Sequence, residues 1–423
     1  MPTSAPEVLP ATAPVSPFRD RRFVLLWLGQ LVSSLGDAAL LIAIPLTIYH
    51  ATHSKLNLSA WAIAEALPVM LLGLFAGAFV DRWNRRRTMI VADLGRAGVV
   101  LLPLCVPGAH VIGMLYVVAF LTSAFTCFFS PARTALMAAV LPRQRLMQAN
   151  AATTSGMQIV QFVGPSLAGA LLGWLHPRGV FVFDAVTFLV SALCIALVSA
   201  PPSAKPPRLF SGVWRDALAG LRYVRESRTL VSLIVLLLLV LLGAGIYNTL
   251  EVAFATDIWH TSVRQFGYLM SAFGLGAIAG GALVAGPLRD LPPPRLIAAA
   301  FGVMFVGSVA FAAAPNLYAG GAALFVLGLG NMLVNIPVLT LFQSSSAQEM
   351  LGRVTATSTL VMRASLFLAA ALAGLLATVF ALRPIFAALS LAYLLCAVLT
   401  LPLLEPKDAE APASDVPLNT LDT

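Results

Sequence analysis

Seven ionisable side chains, Asp37, Glu65, Asp93, Arg96, Asp184, Glu251 and Arg363, stand inside long apolar runs of this 423-residue sequence. A charge at the middle of a hydrocarbon layer costs roughly 3 kcal/mol, so it persists mainly where it faces water, a ligand or an opposite charge. Asp93 and Arg96 are three apart and share a helical face, where each neutralises the other; their role is structural. Asp184 and Glu251 fall near the ends of their runs, within expected reach of the polar boundary. Asp37, Glu65 and Arg363 have no such account. At about 1.5 Å per residue, Asp37 lies roughly 20 Å from one boundary and Glu65 roughly 10 Å from the other. On antiparallel neighbours in a core of about 30 Å, the two carboxylates therefore share a depth. Arg363 sits near the midplane. Such carboxylates can take up and release protons and such a guanidinium can hold an anion, or the three can fix helix packing as a static ion cluster. Gln30 shares a face with Asp37, Asn331 shares one with Asn335, and Gln158 and Gln161 lie in a further run. Their amides can hydrogen-bond a bound molecule or one another.

The elements that hold these groups follow from composition. Residues are 59% hydrophobic and 10% charged, with mean hydropathy +0.90; a water-soluble body carries about 25% charged residues, so the bilayer is the solvent. Windows of spanning length give twelve apolar segments, beginning near Phe23, Leu58, Thr88, Val111, Ala149, Val180, Leu230, Gln265, Arg295, Leu317, Val354 and Pro384. Most connections are a few residues of Pro, Asn, Arg and His, making neighbours antiparallel. The long break runs over 201–228. Proline-rich at first, it then spaces Trp214, Ala217, Leu218, Leu221 and Val224 as an amphipathic helix on the membrane or across the bundle end. Cys105, Cys127, Cys194 and Cys396 lie in apolar runs and read as packing residues. Met1 to Arg22 lacks the features of a signal peptide and reads as a cytoplasmic tail.

Arginine and lysine decide orientation. About twenty fall in connections on the side of the N-terminus, against Lys55, Arg178, Arg264 and Arg383 on the other, which places both termini in the cytoplasm. The asymmetry also accounts for the net charge of +8 without nucleic acid. The two halves repeat: Pro131 answers Pro337, Leu167-Ala168-Gly169 answers Leu372-Ala373-Gly374, and Gly77 answers Gly281, at offsets of 204 to 206 residues. Six spans copied in parallel are the mark of a transporter of two like bundles.

The segment Gly77-Ala78-Phe79-Val80-Asp81-Arg82-Trp83-Asn84-Arg85-Arg86-Arg87 resembles the loop motif of the major facilitator superfamily, over all twelve spans. Ser34-Leu35-Gly36-Asp37, Asp93-Leu94-Gly95-Arg96, Pro131-Ala132-Arg133, Gly164-Pro165 and Gly352-Arg353 resemble the exporter branch that includes siderophore (enterobactin) and macrolide efflux proteins. Asn84 departs from the usual glycine, whose left-handed turn it can imitate, and span four lacks the mid-membrane arginine associated with proton-coupled drug antiporters.

The resemblance implies that spans one, two and eleven line a central cavity, which makes Asp37, Glu65 and Arg363 its charged cluster. It implies further that Asp81 and Arg82, with Gly77 and Arg86 in the same motif, hold the inner gate. Gly73 and Gly77 would bring span two against a neighbour, with Asp81 at the N-terminal end of span eleven, which favours an anion. It also sets span five beside span eight, where Gly164, Pro165 and Gly169 and Gly276 and Gly280 are expected to form a close seam. The expected fold is an all-α integral membrane protein of twelve transmembrane helices in two pseudo-symmetric six-helix bundles, the major facilitator fold. Residues 1–22 and 405–423 form cytoplasmic tails, 23–200 and 229–404 the bundles, and 201–228 the linker. The expected function is secondary active export of a small amphipathic, drug-like molecule by alternating access in a bacterial inner membrane, with protons as the coupling ion. The alternatives are a siderophore or lysophospholipid carrier and, from another class, a membrane-bound enzyme or receptor without transport. No catalysis, cofactor, metal or ATP site is expected, and the partners are the small-molecule substrate, protons and membrane lipids, with the chain acting as a monomer.

Overall fold

Polar and left-handed residues punctuate the apolar runs. Asp20 precedes α1 (Arg21–Thr52) and its carboxylate accepts a hydrogen bond from the Arg22 amide, satisfying one of the unpaired donors of the first turn. The Arg22 guanidinium beside it holds that carboxyl below the usual carboxylate range. His53 ends the helix in the left-handed conformation (φ 48°), and α2 (Lys55–Val80) begins at once. Asn84 caps α3 (Arg85–Cys105) by accepting from the Arg87 amide at φ −72°. The expected left-handed turn at Asn84 is therefore corrected: the residue is extended, because a helix N-cap requires β-region backbone. Then come α4 (His110–Val140), α5 (Arg143–Trp174) and α6 (Pro177–Ala196). The second half holds α7 (Arg228–Trp259), α8 (Val263–Ala285), α9 (Pro293–Ala313), α10 (Leu317–Ser344), α11 (Leu351–Val379) and α12 (Leu382–Leu404). Ser262 and Gln265 close a reciprocal capping box at the start of α8.

This computed structural model describes residues 16–80, 82–108, 110–175, 177–199, 225, 228–344 and 351–404. Most of the 201–228 linker, with its expected amphipathic helix, and Asp81 lie outside the described residues. Among them, eleven helices contain a stretch long and apolar enough to cross a membrane. The twelfth, α5, carries Gln148, Asn150, Thr153 and Thr154 in its first half. Leu71, Val91, Leu193 and Leu375 are exposed along the helices, while Trp174 and Tyr318 are exposed at helix ends, where amphipathic rings suit a bilayer boundary.

Packing repeats with a shift of six helices. α1 packs on α5 and α6 as α7 packs on α11 and α12; α2 with α4 and α3 with α4 and α6 are matched by α8 with α10 and α9 with α10 and α12. The two main contacts between halves, α2 with α11 and α5 with α8, are each other's counterparts. An even number of alternating helices leaves the start of α1 and the end of α12 on one face, called the termini face below.

The glycine seam is corrected. A Cβ on Gly276 would strike the Phe325 carbonyl oxygen, and one on Gly280 the Leu329 carbonyl. Both partners belong to α10, whose Gly328 returns the contact against Phe273 of α8. Glycine on both helices lets the backbones meet, so this close approach lies within the second bundle and not against α5. Gly164 faces Ala38 of α1; the surroundings of Pro165 and Gly169 lie outside the described residues.

Candidate functional site

Between the halves lies a cavity of about 450 Å³, drug-sized by the usual measure. Its walls are mainly apolar, with Trp61, Phe266, Met270, Phe273 and Leu366 among them. Polar groups converge from both sides: Glu65 from α2, Ser123 from α4, Tyr247, Asn248, Thr249 and Glu251 from α7, Asn331 from α10, Arg363 from α11 and Tyr393 from α12. Ser123 donates a hydrogen bond to the Glu65 backbone carbonyl at 2.6 Å, fixing α2 to α4 at the level of the carboxylate.

Glu65 and Arg363, singled out by sequence, thus share one cavity from opposite halves, and the charge of Arg363 acts on Glu65. No ion pair joins them among the described residues. Asp37 does not line the cavity. It is exposed on α1, where its charge reaches Glu65 on one side and meets the fields of Arg96 and Asp93 on the other. Glu65 and Arg363 thus share the cavity wall, and Asp37 stands within electrostatic reach both of Glu65 and of a buried polar centre in the first bundle.

That centre contains the Asp93–Arg96 ion pair on α3, with the guanidinium 4.6 Å from the Phe129 ring centre and 4.4 Å from that of Phe188. Asp184 of α6 joins it. It is fully buried, accepts from the Thr187 hydroxyl at 3.2 Å, and packs where any side chain on Gly36 would strike it. Its expected place at the polar boundary is overturned, because the missing side chain of Gly36 lets α6 carry Asp184 against α1. Glu251 likewise turns into the cavity.

Other amides are redirected. Gln30 is buried and accepts from the Arg133 guanidinium at 3.2 Å, away from the cavity. Asn335 donates to Asn331 at 3.0 Å, so only Asn331 reaches the cavity wall. In the loop motif, a Cβ on Gly77 would meet no described atom within 4 Å. Arg86 donates to the carbonyls of Ile195, at 3.2 Å, and Ala196. This caps the end of α6 within its own bundle, where a cation suits the negative helix terminus.

Sequence reasoning missed Tyr247, Asn248 and Thr249 of α7 and placed Glu251 at the polar boundary. The four residues interrupt a mainly apolar stretch of that helix, and that interruption was the available signal. It also missed Asp257. The Tyr49 hydroxyl donates to Asp257 at 2.7 Å, and Lys55 approaches the same oxygen at 3.8 Å. Both contacts bridge the halves on the face opposite the termini. A hydrogen bond to a charged acceptor contributes about 1.5–3 kcal/mol. Tyr49→Phe should therefore raise the rate at which a cysteine at Asn248 reacts with an impermeant thiol reagent supplied from that face, by about fivefold for a shift of about 1 kcal/mol. An unchanged rate would mean that the contact does not hold that face closed.

Two like six-helix bundles around a mainly apolar cavity with converging polar groups define a membrane transporter. The chain belongs to the Major Facilitator Superfamily, whose sequence profile matches residues 26–370. It is 25% identical over 341 residues to macrolide efflux protein A of Streptococcus pyogenes, spanning 79% of this chain and 84% of that protein. It is 29% identical over 343 residues to the enterobactin exporter EntS of Citrobacter koseri, spanning 78% and 79%. In fold it is similar to a bacterial homologue of the iron transporter ferroportin, crystallised in an inward-facing state, with TM-score 0.74 at 14% identity over 93% of this chain and 100% of that one.

Proposed function

We propose that this transporter is a secondary active exporter that carries a small amphipathic, drug-like molecule out of a bacterial cell across the cytoplasmic membrane, in exchange for protons. The observation that carries the reading is the cavity between the halves, with Glu65, Glu251 and Arg363 all lining its mainly apolar walls. The names of the two efflux relatives support the outward direction. On this reading the termini face is cytoplasmic, as the arginine asymmetry requires, and the face bridged by Tyr49 and Asp257 is external. Gly77, Asp81 and Arg82 close the cytoplasmic end when the cavity opens outward. The chain works as a monomer, and protons supply the driving force without ATP.

Asp37 is the proton carrier on this reading, since it connects the cavity carboxylate Glu65 to the buried charges of the first bundle. Asp37→Asn keeps size and hydrogen bonding but cannot titrate. In proteoliposomes with an imposed pH gradient it should exchange ethidium passively between compartments and fail to concentrate it. If the variant concentrates ethidium like the parent, the role passes to Glu65; if Glu65→Gln also does so, proton exchange is wrong. A siderophore cargo is the second reading, favoured by the enterobactin exporter, and flux of a catecholate in place of ethidium would select it.

A further inference from the structure

Glu251 is the charged group of the cavity that no other described residue answers. Glu65 lies in the field of Arg363, whereas Glu251 has neither a hydrogen bond nor an ion pair among the described residues. Among the described residues three charged side chains line the cavity, two carboxylates and one guanidinium, and with all three ionised this described set carries one uncompensated negative charge. A buried charge is held there at a cost unless something pairs with it.

One helical turn before Glu251, on the same face, stands Tyr247. It is 93% buried, being 7% exposed, it lines the same cavity, and its hydroxyl has no hydrogen-bond partner among the described residues. Its ring is seated, with centres 5.0 Å from Phe311 and 4.9 Å from Phe386, so the hydroxyl is held in place before any ligand arrives. A buried hydroxyl without a partner is uncommon. Here it adjoins an unpaired carboxylate on the wall of a drug-sized space, and Tyr393 closes that wall. A group offering both positive charge and N–H donors satisfies the carboxylate and the phenolic oxygen together.

We propose that Glu251 and Tyr247 form a cation-recognising subsite that takes the protonated amine of the transported molecule, so that the cargo is an amphipathic amine with its apolar body against the remaining walls. The proposal rests on the reading of this cavity as the substrate site, and it adds the charge of the cargo and the residues that select it.

The test uses the full-length chain in phospholipid nanodiscs with two probes of like shape, 4-phenylbutylammonium and the neutral 4-phenylbutanol. The parent is expected to bind the ammonium about tenfold more tightly than the alcohol. Glu251→Gln should bring the ammonium down to the affinity of the alcohol and leave the alcohol within about twofold, which also shows that the cavity is intact. Glu251→Asp should keep a preference for the ammonium, and Tyr247→Phe, which preserves the aromatic seat, should weaken the ammonium about threefold. Absent or equal binding of the two probes by the parent overturns the proposal. So does an ammonium affinity unchanged in Glu251→Gln, or loss of both probes in that variant. Flux of the same probes in proteoliposomes is read separately. Charge-selective binding without flux would sink the transport reading and leave the subsite standing; flux without charge selectivity would do the reverse.

Discussion

Arg96→Met should be the most destabilising single substitution in the first bundle, by about 3–5 kcal/mol. Asp93 and Arg96 side chains are 0% and 4% exposed, so removing the guanidinium strands a carboxylate where water cannot reach it. The loss is compounded by neighbours. Asp37 and Asp184 both lie in the field of Arg96, which is the cation common to three carboxylates. Packing is lost as well, since the guanidinium is sandwiched between the rings of Phe129 and Phe188, a cation–π arrangement that contributes more when desolvated. The double variant Asp93→Leu with Arg96→Met removes both buried charges and should recover about half of the loss, because a buried pair is often replaceable by well-packed apolar residues even though neither member can be deleted alone. Reversible unfolding in mixed micelles with SDS, followed by tryptophan fluorescence, gives the four corners of the cycle. Strict additivity, or a single variant within about 1 kcal/mol of the parent, would show that Arg96 does not organise this centre.

The second large effect is expected at the α8–α10 crossing. Gly276→Ala would drive a methyl group into the Phe325 carbonyl, with the Leu329 amide nitrogen only 3.0 Å from the new carbon. Gly280→Ala would meet the Leu329 backbone. Main-chain atoms inside two helices cannot turn aside as a side chain tip can, so the helices must separate, at a cost of about 3 kcal/mol for each substitution. Gly281 provides the control. A carbon added there meets no described atom within 4 Å, and with that space open Gly281→Ala should stabilise the helix by roughly 0.5 kcal/mol, the ordinary gain of alanine over glycine. Thermal unfolding of the three purified variants separates them. Equal behaviour of Gly276→Ala and Gly281→Ala would mean that the two helices are not in backbone contact.

Much of this molecule was legible along the chain. Apolar runs of spanning length, broken by Pro, Asn, Arg and His, marked twelve segments, and the helices begin within a few residues of them. The offset shared by Pro131 and Pro337 announced the repeat that the packing map displays. Asp93 and Arg96 were readable as a pair because a spacing of three fixes both residues on one face of one helix, whatever surrounds them. Glu65 and Arg363 were readable as cavity residues because depth in a helix follows from counting, and mid-depth charge needs water or a partner.

Tertiary structure decided what counting cannot reach. Position along a helix gives depth, but the direction in which a side chain points relative to other helices is set by how the bundle packs. Glu251 and Asp184 were both placed near the polar boundary by depth, yet one turns into the cavity and the other is sealed against Gly36. Gln30, on the face of Asp37 by spacing, meets Arg133 instead of the cavity. The glycines of α8 announced a close approach without naming its partner, and α10 supplied it through Gly328. Tyr49 and Asp257, 208 residues apart, show no sequence relation at all. Hydrophobicity in a bilayer determines which segments cross it and how deep each residue lies, because that energy depends on one helix and its solvent; which residues meet depends on the rotation of each helix about its axis, which is fixed by the shapes of all its neighbours at once.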